Sequence, residues 1–345
     1  MNLKRFSIGL LLALCIGGLW LGFEYYQRLF AANVNLDVSS VEFYIASDDD
    51  FKDVLRKLYS EGIISDTASF RWTASKKGYT GRIKPGRYIL LDGMSNNELV
   101  NLLRSGAQKP IVMVLRSVRT KNELAAMVSR YIEADSADIH SLLNNENFCR
   151  RYGFNTETIM TMFIPNSYEF YWNTSAEGFF ERMAREYKRF WTDERKARAA
   201  QLGLTQSEVS ILASIVQAEQ MAHPDERPRV AGLYLNRLRK GMRLESDPTL
   251  VFALGDFSIK RVLNQHKAVN STYNTYRNKG LPPGPILLPE PSSIDAVLNA
   301  EKHDYLYMCA RDDFSGYHHF SRNYTQHLNY ARAYQRALNQ RKIYR

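Results

Sequence analysis

Apolar and polar positions follow different periods in different parts of this chain. The N-terminal run from Phe6 to Phe23 carries no charge; Lys4 and Arg5 precede it and Glu24 ends it. That is about the length a helix needs to cross a bilayer. Val41-Glu42-Phe43-Tyr44-Ile45 then alternates with the period of a strand. Asp48, Asp49 and Asp50 offer an N-cap for a helical stripe of Phe51, Val54, Leu55 and Leu58, which Gly62 ends. Ser69 to Trp72 starts another helix, and Pro85-Gly86 turns the chain into a strand reaching Leu90. Ser95 to Leu103 reads as a capped helix stopped by Gly106, and Ile111 to Leu115 as a strand. Thr120–Ile132 and Ser136–Leu143 are expected to be helical. Phe179 to Leu202, rich in charged and aromatic residues, is expected to form one long amphipathic helix.

The stretch from Thr205 carries the first candidate chemistry. Thr205 and Glu208 form a capping-box pair, and Val209, Leu212 and Val216 recur at helical spacing. Three residues further along this stripe lies Glu219, flanked by Ile215. A carboxylate on an apolar face loses water, which disfavours its charged form. That raises its pKa toward the range a general acid needs. The same pattern fits a solvated glutamate at the end of a core helix, and helical phase alone leaves both readings open. Asp225 to Lys240 reads as the next helix, with Pro228 in its first turn and Gly241 as its stop. Its buried side is expected to be Val230, Leu233, Tyr234 and Leu238. Beyond it, the proline-rich Gly280–Ile286 loop suits a groove wall or an extended connector. Leu306–Ala310 looks like a buried strand, followed by Gly316–Ser321.

Bulk properties narrow the class. The chain has 345 residues and a formal net charge of +10, with the basic residues spread along it. A basic balance favours an anionic partner, but nothing matches a nucleic-acid-binding module, so no nucleic acid is expected. The three cysteines show no metal-ligand spacing, and Cys149 and Cys309 read as buried free thiols that an oxidising compartment could pair. His303, His318, His319 and His327 fit no zinc pattern, and neighbouring histidines on a strand face opposite ways. No metal or cofactor is expected. Basic residues ahead of the apolar run predict a cytoplasmic N-terminus with the remainder outside.

Downstream of Glu219 the motifs resemble one family closely. Ala213-Ser214-Ile215-Val216-Gln217-Ala218-Glu219 is followed by Asn236-Arg237-Leu238 and by Gly241-Met242-Arg243-Leu244-Glu245-Ser246-Asp247-Pro248-Thr249. Then come Tyr273-Asn274-Thr275-Tyr276, Gly280 to Ile286, and His319-Phe320-Ser321. In this order, behind an N-terminal anchor, they resemble the endolytic murein transglycosylases, or YceG-like proteins. Gln217, Gln220 and the Gln326–Asn329 ending depart from that pattern.

The resemblance implies an α+β chain: an N-terminal transmembrane helix, a small LysM-like α/β module and a mixed α+β catalytic domain. The expected boundaries are a cytoplasmic tail at 1–5, an anchor at 6–23, a juxtamembrane linker at 24–40, the LysM-like module at 41–108, a lead-in at 109–203 and a catalytic core at 204–345. It implies cleavage of the bond between N-acetylmuramic acid and N-acetylglucosamine in peptidoglycan glycan strands, leaving 1,6-anhydro ends. It also implies work at the plasma (inner) membrane beside peptidoglycan synthases, with the bilayer contacted through residues 6–23. Glu219 would be the catalytic acid. Asn236, Asp247, Thr249, Tyr273, Asn274, Thr275, Tyr276 and His319 would bind substrate. Each of these also has a packing or turn reading, and Asp247 in particular could cap the turn before Pro248. Two other readings stay open: a non-catalytic peptidoglycan-binding scaffold, and a hydrolase with Asp247 as base.

Overall fold

The structure is a computed structural model that describes residues 3–259 and 261–341. Part of the expected tail, residues 1 and 2, lies outside the described residues. The architecture is mixed α+β, and the chain divides into two compact units.

The first unit comprises residues 1–112 with 131–133 and 169–174. It starts with α1 (Leu3–Phe30), whose segment Ile8–Phe30 is long and apolar enough to cross a membrane and is not buried. The helix runs past Glu24, so the stretch expected to be a linker begins as helix. Its end is docked: Arg28 O accepts bonds from Thr73 Oγ1 at 3.2 Å and Asn96 Nδ2 at 3.0 Å, and Tyr25 packs edge-on against Trp72. The chain continues through β1 (Ser40–Ile45), α2 (Phe51–Ser60), α3 (Thr67–Lys76), β2 (Gly86–Leu91) and α4 (Asn96–Ser105). β1 and β2 pair antiparallel, Phe43 opposite Tyr88. Asp50, Asp66 and Ser95 cap the three helices, as their short side chains favour. Phe43, Ile45, Val54, Leu58, Phe70, Tyr88 and Leu99 form a closed core.

The second unit holds the remaining residues. β3 (Ile111–Leu115) pairs with β4 (Asn166–Phe170). Between them lie α5 (Lys121–Val128), α6 (Ser136–Leu143) and α7 (Glu146–Arg151). The expected long helix is two: α8 (Ala176–Phe190) and α9 (Asp193–Leu202). Buried Trp191 leaves helical geometry, and Thr192 restarts the chain by capping the N–H of Arg195. The centre of the unit is α10 (Gln206–Glu219), buried from Val209 to Gln217 and started by the Thr205/Glu208 capping box. Around it pack α11 (Arg227–Arg239), α12 (Asp247–Leu254) and α13 (Pro291–Leu298). β5 (Tyr307–Ala310) and β6 (His318–Ser321) form a hairpin against α14 (Tyr324–Gln340). β5 is half-buried along its length, not the buried strand expected, since one side borders a cavity. Gly232 on α11 is needed for close approach: a Cβ there would stand 2.3 Å from Glu301 O.

Candidate active site

Glu219 is the last residue of α10, where the helix emerges from the core. Its carboxyl is half-buried and opens onto a cavity of about 800 Å³, within the range of small-ligand sites. Two hydroxyls donate to the same oxygen: Tyr234 Oη to Oε1 at 2.8 Å and Ser246 Oγ to Oε1 at 2.5 Å. No described residue bonds Oε2, so Oε2 is the oxygen left to hold a proton. Burial pushes the pKa of Glu219 up; the Ser246 and Tyr234 hydroxyls pull it back, the Asp247 charge adds to the rise, and His318 opposes it. Tyr234, beside this carboxyl and fully enclosed, has its own pKa pushed far up and stays a donor. Sequence patterning placed Tyr234 only in the core and gave Ser246 no part. Both partners are remote in sequence, and no local period reports such a contact.

The expected polar residues downstream divide into two groups by position. Thr249 and Thr275 hold the peptide unit of Ser246. Thr249 Oγ1 donates to Ser246 O at 2.7 Å, and Ser246 N donates to Thr275 Oγ1 at 3.0 Å. Because the single proton of Thr249 is spent on Ser246, Thr275 donates in the 2.8 Å contact between the two threonines. Glu245, just before, sits in the left-handed region at φ 54°, a costly conformation for a non-glycine residue. It is held by Thr275 O at its N–H (3.2 Å) and by Arg237 Nη1 at its carboxylate (3.0 Å). Asn274 is buried: its amide donates to Lys267 O and Val269 O, and its Oδ1 accepts from Tyr276 N. It builds the loop that aims Tyr276.

Asp247 and Tyr276 line the cavity with Glu219, and Tyr276 Oη donates to Asp247 Oδ1 at 2.6 Å. Asp247 opens α12 and makes no side-chain cap to the helix N-terminus, so the expected turn cap is absent; the tyrosine takes that oxygen instead. It also lines a second cavity of about 500 Å³ on the far side of α12, together with Ile286 and Leu287 from the end of the proline-rich loop.

The other expected residues stand elsewhere. Asn236 Nδ2 donates to His303 O at 2.7 Å and Tyr305 O at 3.1 Å, tying α11 to the following loop. Tyr273 Oη donates to Glu157 Oε2 at 3.0 Å, with its ring against Phe252. His319 faces α14, stacked on Tyr330 at 4.4 Å, with Nε2 3.2 Å from Asp312. Its neighbour His318 lines the Glu219 cavity, as strand alternation requires of one of the two. Which one faces inward depends on the hairpin's placement, which parity does not give. His327 of α14 and Arg237 of α11 complete the polar wall. Burial, then the charge of Arg237, pushes His327 down, toward the neutral form. Arg237 is buried and donates to Leu306 O, Leu244 O and Glu245. Arg237 is therefore an internal clamp, while its basic neighbours Arg239 and Lys240 are exposed. Gln217 and Gln220 are buried as well: Gln217 Oε1 accepts from Glu290 N at 2.7 Å and Ser293 Oγ at 2.9 Å. Cys149 and Cys309 are free thiols, the latter on the cavity wall.

A half-buried carboxyl with one free oxygen, in a cavity walled by tyrosine, histidine and a second carboxylate, is equipped to move a proton onto and off a polar ligand. The profile of the YceG-like family matches residues 43–333. The chain is 26% identical over 316 residues to the endolytic murein transglycosylase of Bacillus subtilis (strain 168), covering 87% of this chain and 86% of that one. It is 25% identical over 361 residues to the endolytic murein transglycosylase of Streptococcus pneumoniae serotype 2 (strain D39 / NCTC 7466), covering 94% of this chain but 64% of that one. Among solved structures, the crystal structure of the yceG-like protein lmo1499 from Listeria monocytogenes is similar with a TM-score of 0.57 and 25% identity, over 84% of this chain and 98% of that chain. With its match spanning both the first unit's core and the Glu219 cavity, the chain belongs to the YceG-like family.

Proposed function

We propose that this protein is a membrane-anchored endolytic murein transglycosylase in which Glu219 is both acid and base. The observation that carries the reading is the Glu219 carboxyl itself: one oxygen fixed by two hydroxyl donors, the other free at the cavity wall, and a pKa raised by burial. Glu219 gives its proton to the bridging oxygen as the bond from C1 of N-acetylmuramic acid to that oxygen breaks. The sugar ring carries the developing positive charge, and the carboxylate formed nearby stabilises it. The C6 hydroxyl oxygen of the same sugar then bonds to C1, and its proton returns to Glu219. No water is consumed, and the carboxyl is reset. Attack from within the bound sugar has the advantage of an intramolecular step, which makes a second catalytic carboxylate unnecessary. Tyr234 and Ser246 stabilise the ionised half of the cycle, since hydroxyl donors favour a carboxylate.

Asp247 stands in the same cavity, which favours one rival: a hydrolase with two carboxylates. In our reading Asp247 instead raises the proton affinity of Glu219 and orients Tyr276. Mass spectrometry of digested glycan strands separates the two. Transglycosylation gives anhydro ends, lighter than hydrolysed ends by one water. Asp247→Asn is expected to keep anhydro products and to move the alkaline limb of the pH profile downward. Reducing ends from the wild type would assign Asp247 the role of base.

The remaining assignments belong to the same proposal. Residues 41–108 form a LysM-like module, on the strength of two antiparallel strands with two helices between them. Residues 109–203 lead into a catalytic core at 204–345. Ile8–Phe30 contains the membrane anchor, the N-terminus is cytoplasmic and the catalytic domain lies outside the plasma membrane, next to peptidoglycan synthases and nascent strands.

A further inference from the structure

Glu226 has no part in the mechanism above, yet it is a carboxylate only 4% exposed. It sits in the short helical turn before α11, and its oxygens are saturated by three donors. His318 N donates to Oε1 at 3.0 Å, Gln220 Nε2 to Oε2 at 2.5 Å, and the His318 ring places Nδ1 2.7 Å from Oε2. Gln220 is locked the right way round, because its Oε1 accepts from His223 N at 3.0 Å while Nε2 also donates to Gly316 O at 3.1 Å. Both protons of Gln220 are thereby used on oxygens. A buried carboxylate needs its donors; burial works to raise its pKa, but His318 and Gln220 together hold it below the ordinary range, so Glu226 is ionised. An ionised Glu226 only accepts, hence Nδ1 of His318 carries hydrogen and the ring's other nitrogen, Nε2, takes no part in the clamp. The ring lines the cavity that holds Glu219.

We propose that His318, clamped by Glu226 and Gln220, is a positioning residue for Glu219: it holds an imidazole at the wall of the acid's cavity and so sets the pH range over which Glu219 keeps its proton. The inference rests on the reading of Glu219 as the acid. The imidazole on the cavity wall favours the ionised form of Glu219. In the first step this eases release of the proton from Glu219. Other titratable or charged groups on the walls of this cavity are Tyr234 and Arg237 from α11, Glu245 ahead of α12 and Asp247 at its start, Lys267, Tyr276, Tyr307 and Cys309 from β5, and Tyr324 and His327 from α14. On the far side of the His318 strand, Arg311 donates to His318 O at 3.2 Å. All of these stay in place when His318 alone is changed.

The test is an infrared difference titration of the Glu219 carboxyl band in the full chain in detergent, assigned with Glu219→Gln. His318→Gln keeps an amide donor for Glu226 and removes the imidazole. The Glu219 midpoint is expected to rise by about one pH unit, with the alkaline limb of the activity profile moving the same way and kcat falling about tenfold while KM holds. Glu226→Gln is expected to shift the midpoint in the same direction, and the double variant no further than His318→Gln alone. An unchanged midpoint in His318→Gln overturns the proposal. Absence of anhydro products from the wild type overturns the transglycosylase reading instead, and the infrared result stands apart from it.

Discussion

The proton affinity of Glu219 is set by two opposed effects on one side chain. Loss of water around it raises its proton affinity, and the two hydroxyls on Oε1 keep the ionised form within reach. The sign of its effect on stability follows. A carboxyl whose folded-state pKa is raised contributes stability below its unfolded pKa, and that contribution is lost as pH rises through the folded value. Glu219→Gln keeps an oxygen that can accept from Tyr234 and Ser246 but removes the charge. It is therefore expected to raise Tm at pH 8 and to leave Tm unchanged at pH 4, read by differential scanning calorimetry. A lower Tm at pH 8 would mean that the native charge is compensated by something other than these hydroxyls. Helical phase in the sequence put Glu219 on the apolar side of its helix. It could not reveal Tyr234 and Ser246, which decide how the carboxyl behaves, because those contacts are made by folding and not by spacing.

At the scale of elements, the site is the meeting of the end of α10, the start of α12 and the β5–β6 hairpin. The loop before α12 carries the strained Glu245, and Thr249 and Thr275 hold both backbone polar groups of the next residue, Ser246. Thr275→Val removes the acceptor for Ser246 N, leaving a buried donor unpaired, at a cost of about 1–3 kcal/mol. It is expected to lower kcat at near-constant KM, although Thr275 is buried and does not line the cavity. A rise in KM with kcat intact would instead make Thr275 a binding residue. Capping residues made most of these elements legible. Thr205 with Glu208, Thr120 with Glu123, Ser95 with Glu98 and Asp50 with Asp53 all form the reciprocal bonds their spacing offers. The break at Trp191 was hidden because aromatic and charged residues continue across it. Thr192 acts as a cap only where the chain has already left the helix. The inward histidine was ambiguous for a related reason: alternation says that His318 and His319 differ, and tertiary placement of the hairpin chooses between them.

Across the whole chain, the uncharged N-terminal run was the plainest signal in the sequence, and the structure extends it as helix to Phe30. The added turns carry Glu24, Gln27 and Arg28, and they end docked through Arg28 and Tyr25. A chain starting at Glu24 is thus expected to leave the membrane fraction, stay folded and still cut soluble glycan. One starting at Val34 loses the partners of Thr73 and Asn96 and is expected to have a lower Tm. Equal sedimentation of the full chain and the chain from Glu24 would contradict the anchor. The net charge of +10 suits an anionic wall polymer, but two of the arginines behind it, Arg227 and Arg237, are buried clamps and not surface charge.

In the proposed mechanism one carboxyl performs the whole reaction. Its most direct test is the mass spectrum of purified glycan strands digested by the wild type and by Glu219→Gln, both confirmed folded by circular dichroism. The account predicts anhydro-ended fragments from the wild type and at least about 100-fold fewer from the variant, the scale of a lost general acid. Equal yields from the two proteins would contradict it.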